Sequence, residues 1–309
     1  MKVIRHLHAV PETIGSGALT IGNFDGVHRG HARLVERLVE HARRVRGPAV
    51  VFTFDPHPVR LLRPSAAPPP LTWTERKAQL LDELGVDCMI AYPTDEALLA
   101  LGPREFFDRI VREALHAQAI VEGPNFFFGH DRKGNIETLG QYSTEAGIEL
   151  EVVEPIVLDG EIVSSSRVRQ LVARGDVAEA RRLLTQPYRI RGMVTHGAGR
   201  GAKLGFPTAN VDAIDTLLPA IGVYAGVAHA DGNQWPAAIN IGPNPTFGEH
   251  ATKVEAHLLG ADEALYGQPL ELDFLKKLRE VHTFASVDAL KSQLDRDVAE
   301  TRRIAQEFL

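Results

Sequence analysis

Gly22-Asn23-Phe24-Asp25-Gly26-Val27-His28-Arg29-Gly30-His31 follows the apolar run ALTI at 18–21 and leads into an amphipathic stretch, HARLVERLVEHARRV at 31–45. A short buried strand that ends in glycine and passes into a helix is the unit from which parallel sheets are built. The pattern recurs. AVVFTF at 49–54, VDCMIAY at 86–92 and AQAIVE at 117–122 are short, apolar and rich in β-branched residues, as fully buried strands are. Between them, TERKAQLLDELG at 74–85 and GPREFFDRIVREALH at 102–116 carry apolar residues at three-to-four spacing. The alternation predicts an α/β domain with a parallel sheet wrapped by helices, whose ligands sit beyond the carboxyl ends of the strands.

Outward from this core the texture changes. PSAAPPP at 64–70 reads as a loop excluded from helix and inner strand, serving as a surface flap or a plain connector. A turn at Asp159-Gly160 leads into SSSRVRQLVARGDVAEARRLL, which predicts two short helices split at Gly175-Asp176. After residue 186 come YRIRGMVTHG, GVYAGVAHADGNQWPAAINIG, KVEAHLLG and PLELDFLKKL, alternating segments separated by glycine, proline and Asp-Gly turns. That spacing predicts a small antiparallel β-barrel. Ser286 caps a closing C-terminal helix whose apolar stripe begins with Val287, Leu290 and Leu294. The expected domains are therefore 1–186 and 187–309, divided at Gln186-Pro187.

The bulk properties fit two soluble domains. The chain has 309 residues, 44% hydrophobic and 24% charged, with apolar material for two cores. No run approaches the length of a membrane span, and the start lacks the apolar core of a signal peptide. Cys88, the only cysteine, lies in an apolar setting, so neither an internal disulfide nor a cysteine-rich zinc site is expected. A cytoplasmic location follows. A formal net charge of -6 argues against nucleic acid as a partner. No feature specifies an oligomeric state.

The opening stretch has chemistry of its own. Glycines let backbone N–H groups approach an anion, and the helix start adds unpaired donors and a positive dipole end. His28 and His31, three residues apart, share one face of the first turn. They can hydrogen-bond nucleotide phosphates and stabilise charge as pyrophosphate leaves, without an enzyme nucleophile. Such a pair also occurs in purely structural settings. A zinc site could start from it, but no further ligand cluster accompanies it.

This stretch resembles the HxGH signature of the nucleotidylyltransferase superfamily, in the version found in bacterial bifunctional riboflavin kinase/FAD synthetases. Three segments support the narrower match: Phe54-Asp55-Pro56-His57-Pro58, Gly123-Pro124-Asn125-Phe126-Phe127-Phe128-Gly129, and Ser164-Ser165-Ser166-Arg167-Val168-Arg169. The resemblance implies a Rossmann-like nucleotidylyltransferase domain that makes FAD from ATP and FMN. It places Gly22, Phe24, Gly30, Asn125, Ser164 and Ser165 at ATP and its phosphates, Asn125 meeting base, ribose or phosphate, with Arg169 as a catalytic clamp beside His28 and His31. Asp55, Pro56 and Phe128 then belong to the flavin. Read without it, at least two of the three phenylalanines fit an apolar core strand, and Arg169 could instead lie on a solvated helix face.

His196-Gly197-Ala198-Gly199-Arg200-Gly201-Ala202-Lys203-Leu204-Gly205-Phe206-Pro207-Thr208-Ala209-Asn210 is the strongest feature of the second half. A basic glycine-rich loop suits close approach to phosphates, and the missing GK[ST] ending shows that it is not a Walker loop. It resembles the riboflavin-kinase signature ending in PTAN, as do Asn240-Ile241-Gly242-Pro243-Asn244-Pro245-Thr246-Phe247 and Val254-Glu255-Ala256-His257. The resemblance implies an antiparallel riboflavin-kinase barrel. It assigns Gly199, Gly201, Lys203 and Asn210 to ATP, Thr208 and Asn210 to Mg²⁺, Arg279 to the flavin side, and Glu255 as the base. Hydroxyl and amide oxygens suit a hard cation. Strand geometry alone leaves Glu255 as an outward-facing carboxylate.

The expected partners are riboflavin, FMN, FAD and the co-substrate ATP, with Mg²⁺ and no tightly bound redox cofactor. Three departures stand out: Ser166 for a usual threonine, Leu259-Gly260-Ala261 where an Asp-Phe pair is common, and a less charged stretch from Leu278 to Phe284. Two other readings compete: a single-activity adenylyl- or cytidylyltransferase with an accessory barrel, and a flavin-binding regulator. The intact Thr208, Asn210 and Glu255 argue against both.

Overall fold

A computed structural model describes residues 1–7, 10–11, 14–197, 199–243, 252–261 and 265–309, with Arg200 and Lys203 described as backbone only. The described chain forms two compact units. The first comprises Met1–Pro68 and Trp73–Ser164, the second Pro69–Thr72 and Ser165–Leu309.

The first unit runs β1 (Lys2–Ile4), β2 (Ala18–Ile21), α1 (Arg29–Val45), β3 (Ala49–Phe54), α2 (Val59–Leu62), α3 (Thr74–Glu83), β4 (Cys88–Tyr92), α4 (Glu96–Ala100) and α5 (Pro103–Phe106). It continues through β5 (Ala119–Glu122), β6 (Phe127–Phe128), β7 (Gly134–Asn135), α6 (Ile136–Ala146), β8 (Glu149–Val152), β9 (Val157–Leu158) and β10 (Glu161–Ile162). Six strands form one parallel sheet in the order β1-β4-β3-β2-β5-β8. From β2 the chain winds outward through β3 and β4, then returns to place β5 on the other flank of β2. The strand order thus reverses between β2 and β5, the position where such sheets open a ligand crevice.

Alternation along each strand supplies two cores. Leu19, Ile21, Val50, Phe52, Ile90 and Ile120 pack on one face with Phe106, Phe107, Ile110 and Leu139. Ala18, Val51, Met89, Ala91 and Val121 pack on the other with Val35, Leu38, Ala42, Leu80 and Leu81. Each fully buried Val or Leu contributes roughly 1.5–3 kcal/mol. The helix expected over 102–116 is irregular: α5 passes into a π-helical stretch, Phe107–Ala114, that keeps Phe107, Ile110 and Val111 buried. Pro64–Ala66 forms a 3-10 turn, although the proline-rich segment was expected to lack helix; Pro64 occupies its first turn, where a missing N–H costs nothing.

The second unit comprises α7 (Ser165–Arg174), α8 (Val177–Leu183), β11 (Tyr188–Thr195), α9 (Arg200–Leu204), β12 (Ala209–Asp212), β13 (Gly222–Ala230), β14 (Asn233–Gly242), β15 (Lys253–Leu258), β16 (Pro269–Arg279) and α10 (Val287–Ala305). Its strands close an antiparallel barrel in the order β11-β12-β15-β14-β13-β16. The division expected at Gln186-Pro187 differs from the compact units, which part at Ser164/Ser165 because α8 packs on β11 and β16. Ser286 does cap α10, its Oγ accepting from Ala289 N at 3.1 Å. Val287 is exposed, however, and the buried face runs through Asp297, Thr301 and Ala305. Asp297 is tolerated there because Arg279 of β16 grips it, Nη2 to Oδ2 at 2.8 Å and Nε to Oδ2 at 3.0 Å.

Barrel closure relies on Gly226 at a β-bulge on β13, where a Cβ would stand 2.0 Å from the Asp273 carbonyl oxygen of β16. Gly226→Ala is expected to destabilise the barrel by about 2 kcal/mol or more. A thermal or urea melt checks this, and an unchanged midpoint would show that the strands part without cost.

Candidate active sites

In the first unit, the loop from β2 to α1 is held at both ends. Gly22 N donates to Phe52 O at 3.0 Å, continuing the β2–β3 ladder past the end of β2. Phe24 and Val27 then take left-handed backbone angles, φ 48° and 38°, unusual for residues with side chains and costly for β-branched Val27. The Phe24 ring lies over Gly22, where a Cβ would come within 3.2 Å of it. His28 is the N-cap of α1: its Nδ1 accepts from His31 N at 3.3 Å. An accepting Nδ1 fixes the neutral tautomer, so the proton sits on Nε2 as a donor. The two imidazoles stack with centroids 3.6 Å apart. Burial lowers the His28 pKa to about 4, with Asp25 opposing the shift. Burial, then the neighbouring His28 and Lys77, lower the His31 pKa well below the ordinary value.

Two buried polar atoms here, Asn23 Oδ1 in the loop and His31 Nδ1 in the first turn of α1, have no hydrogen-bond partner among the described residues. Buried polar atoms are normally satisfied, so the pair marks a place for a polar ligand or water. A further hydrogen-bonded chain lies beneath: Lys77 Nζ donates to Thr53 Oγ1 at 3.3 Å, and Thr53 Oγ1 donates to Asn23 O at 3.2 Å. The Lys77 ammonium is buried, which lowers its pKa against the pull of Asp25 and Asp55. Asp55 Oδ2 accepts from Thr74 Oγ1 at 2.7 Å and from Arg5 Nη1 at 3.1 Å, and the Asp55-Pro56 bond is cis. A Cβ on Gly30 would lie 3.1 Å from the His28 ring and 3.4 Å from Val163 O, so Ser164 adjoins the start of α1.

The remaining expected residues lie as follows. Asn125 is exposed on the turn closed by Phe126 N donating to Gly123 O at 3.2 Å. Phe128, expected at a flavin, is 5% exposed and packs against Phe106 and Phe126. The alternation of β6 turns Phe127 outward, where Arg132 covers its ring at 4.7 Å. Ser165 and Arg169 belong to the second unit, in which Arg169 Nε donates to Pro69 O at 3.2 Å. His57 has a local task, its Nδ1 accepting from Val59 N at 3.1 Å.

In the second unit, backbone register assembles the site. Thr195 pairs with Asn210, Asn210 with Glu255, and Glu255 with Asn240 across β11, β12, β15 and β14. The same row continues from Asn240 to Val223 and from Val223 to Arg279. Cross-strand partners share a face, so Asn210, Glu255 and Asn240 stand side by side. Val254 and Ala256 point the other way, into the barrel core. Glu255 therefore does face outward, as strand geometry suggested, but into a polar row and not bare solvent.

The glycine-rich loop lies against this row. A Cβ on Gly197 would sit 2.0 Å from Asn210 Nδ2, and one on Gly201 would sit 2.3 Å from Phe206 O and 3.4 Å from Thr208 Oγ1. Gly199 has a left-handed φ of 64° at the entrance to α9. His257 Nδ1 hydrogen-bonds Pro207 O at 2.6 Å, tying the loop to β15. Arg279, expected near a flavin, commits its guanidinium to Asp297. The side chain of Lys203 and the segment 244–247 lie outside the described residues.

The sequence assigned no role to Asn23, Thr53, Lys77, Glu122 or Asn240, although Asn23 and Asn240 stand inside the quoted motifs. Two had a readable signal: Lys77 lies three and four residues before Leu80 and Leu81 on one apolar stripe, and Asn240 interrupts Ile239 and Ile241.

Residues 11–167 match the family model described as FAD synthetase, and residues 184–305 match the one described as riboflavin kinase. A bifunctional riboflavin kinase/FMN adenylyltransferase from Pseudomonas fluorescens is 40% identical, the alignment covering 99% of this chain and 98% of the relative. The Escherichia coli K12 protein of the same description is 36% identical over 96% of each chain. A crystal structure from Streptococcus pneumoniae, described as a macrolide-efflux protein, superposes with a TM-score of 0.86 at 30% identity, covering 97% of this chain and 98% of its own. Among the described residues here, no helix is long and apolar enough to cross a membrane. With two family models in tandem and relatives aligned from end to end, the chain belongs to the bifunctional riboflavin kinase/FMN adenylyltransferase family.

Proposed function

We propose that the chain makes FAD from riboflavin in two ATP-dependent steps, with kinase chemistry on the barrel and adenylyl transfer on the parallel sheet. One observation carries this reading: each family model covers a stretch holding its own chemical constellation, Gly22–His31 in one and Asn210–Glu255 in the other. The functional division is 1–186 and 187–309, and a cytoplasmic setting suits the substrates.

On the barrel, Glu255 accepts the proton of the riboflavin 5′-hydroxyl as that oxygen attacks the γ-phosphate of ATP, and ADP departs. Gly199, Gly201 and Lys203 serve the phosphates, and Arg279 supports the flavin side through the Asp297 anchor. Thr208 and Asn210 offer a hydroxyl and an amide oxygen beside Glu255, a donor set that fits Mg²⁺. No cluster of three His, Cys, Asp or Glu side chains among the described residues competes as a metal site. A cation held mostly by nucleotide phosphates needs few protein ligands, and when bound it neutralises phosphate charge.

On the sheet, an oxygen of the FMN phosphate attacks the α-phosphate of ATP and pyrophosphate leaves. His28 Nε2–H donates to the phosphates, and His31 fills its unpartnered Nδ1 on the nucleotide. Gly22, Phe24 and Gly30 shape the loop, Asn125 meets the nucleotide, and Asp55 and Pro56 face the flavin. Ser164, Ser165 and Arg169 keep their triphosphate role on the motif alone.

Reciprocal variants test the division. Glu255→Gln should lower FMN formation by about 10²–10⁴-fold while FAD formation from supplied FMN persists. His28→Ala should do the reverse, with a loss of about 10²–10³-fold in FAD formation. Loss of both activities in either folded variant would contradict two separate sites. The tautomer is testable by nitrogen NMR: His28 should be neutral and Nε2-protonated at pH 7, titrating at about 4. Because the folded pKa lies below the unfolded 6.5, the stability tied to neutral His28 is complete above 6.5 and lost as pH falls toward 4. A midpoint near 6.5 would refute the buried N-cap.

A further inference from the structure

The β2–β5 ladder is short. Its register pairs Ala18 with Ala119 and Leu19 with Ile120, and ends there. On its β3 side, β2 stays paired through Ile21 with Phe52, and Gly22 N donates to Phe52 O. On the β5 side the next amide, Ile21 N, finds no backbone acceptor but the Glu122 carboxyl, Oε1 at 2.6 Å. Thr20 Oγ1 adds a longer contact to the same oxygen, 3.5 Å. Glu122 is 3% exposed, and its own carbonyl accepts from Val153 N at 2.8 Å, which pairs its backbone with the strand beyond. Burial pushes its pKa well above the usual carboxylate range, opposed only by the Ile21 amide and the Thr20 hydroxyl.

The position of this residue gives the contact its meaning. Ile21 is the last residue of β2 and immediately precedes Gly22, where the loop to His28 and His31 begins. Glu122 is the last residue of β5 and immediately precedes Gly123-Pro124-Asn125. Strands that part at the switch point must leave an amide of β2 without its ladder partner. A side chain from β5 supplies that partner while letting the strands diverge.

We propose that Glu122 is a positioning residue for adenylyl transfer. Its carboxyl replaces the missing rung between β2 and β5 and fixes both strand ends from which the two site loops spring. The proposal rests on the reading of the first unit as an FMN adenylyltransferase. The group acts as a hydrogen-bond acceptor of fixed reach and not as a charge, so an amide of the same length can take its place.

The test uses the full chain and two variants, Glu122→Gln and Glu122→Ala, assayed for FAD formed from supplied FMN and ATP, with amide hydrogen exchange followed at Ile21. Glu122→Ala should lower kcat by about 10–100-fold, with a smaller change in KM, because small displacements of catalytic groups act on the chemical step. Its Ile21 amide should lose protection. Glu122→Gln should keep kcat within about twofold of the parent and keep Ile21 protected. Equal losses in both variants, or an unaffected Glu122→Ala, would overturn the proposal. A parent protein that makes no FAD from FMN would instead remove the adenylyltransferase reading, and this proposal with it.

Discussion

Beyond Leu19 and Ile120, β2 and β5 cease to share backbone hydrogen bonds, and the first unit is organised around that parting. Two fully buried strands must separate for a loop on each to face a common ligand, yet every buried amide near the split needs an acceptor. Glu122 meets that need on one side and Phe52 O on the other. With Ile21 and Gly22 fixed, the chain turns through three left-handed residues, Phe24, Gly26 and Val27, and enters α1 with His28 as cap. The cap bond then sets which imidazole nitrogen carries the proton. Strand pairing, helix capping and proton placement are thus successive consequences of one topological reversal.

The barrel assembles its candidate site by a different route. Antiparallel register brings Asn210, Glu255 and Asn240 into one row on the outer face, and glycines permit a loop to lie directly on it. The 2.0 Å that a Cβ on Gly197 would leave to Asn210 shows how little room that packing has. The interior stays apolar, so the fold's stability and its polar row occupy opposite faces of the same strands. Arg279 joins the two concerns: it ends the row and anchors α10 through Asp297.

Much of this was legible in the sequence because it depends on local patterns. Apolar runs of four to six residues marked β2 to β5, and Asp-Gly and glycine punctuation marked the barrel. The glycine-bracketed histidines and the PTAN loop marked the two candidate sites. What escaped depends on tertiary neighbours. Lys2–Ile4 and Glu149–Val152 are sheet-edge strands with few buried residues, so they carry no long apolar signal. Glu122 and Lys77 are charged residues that ordinarily read as solvated, and only the packed structure reveals them as buried. Phe128 could not be separated from Phe127 by composition, because a two-residue strand decides which ring turns inward. The helices at 165–183 were placed correctly along the chain, while their packing on the barrel is a property of the fold alone.

The central claim is that one chain carries out both steps, and the most direct measurement is a chromatographic time course of riboflavin with purified protein, ATP and Mg²⁺. The account predicts that FMN appears first and FAD follows at its expense. Riboflavin left unchanged, with FAD formed only when FMN is supplied, would contradict it and leave the barrel without its assigned chemistry.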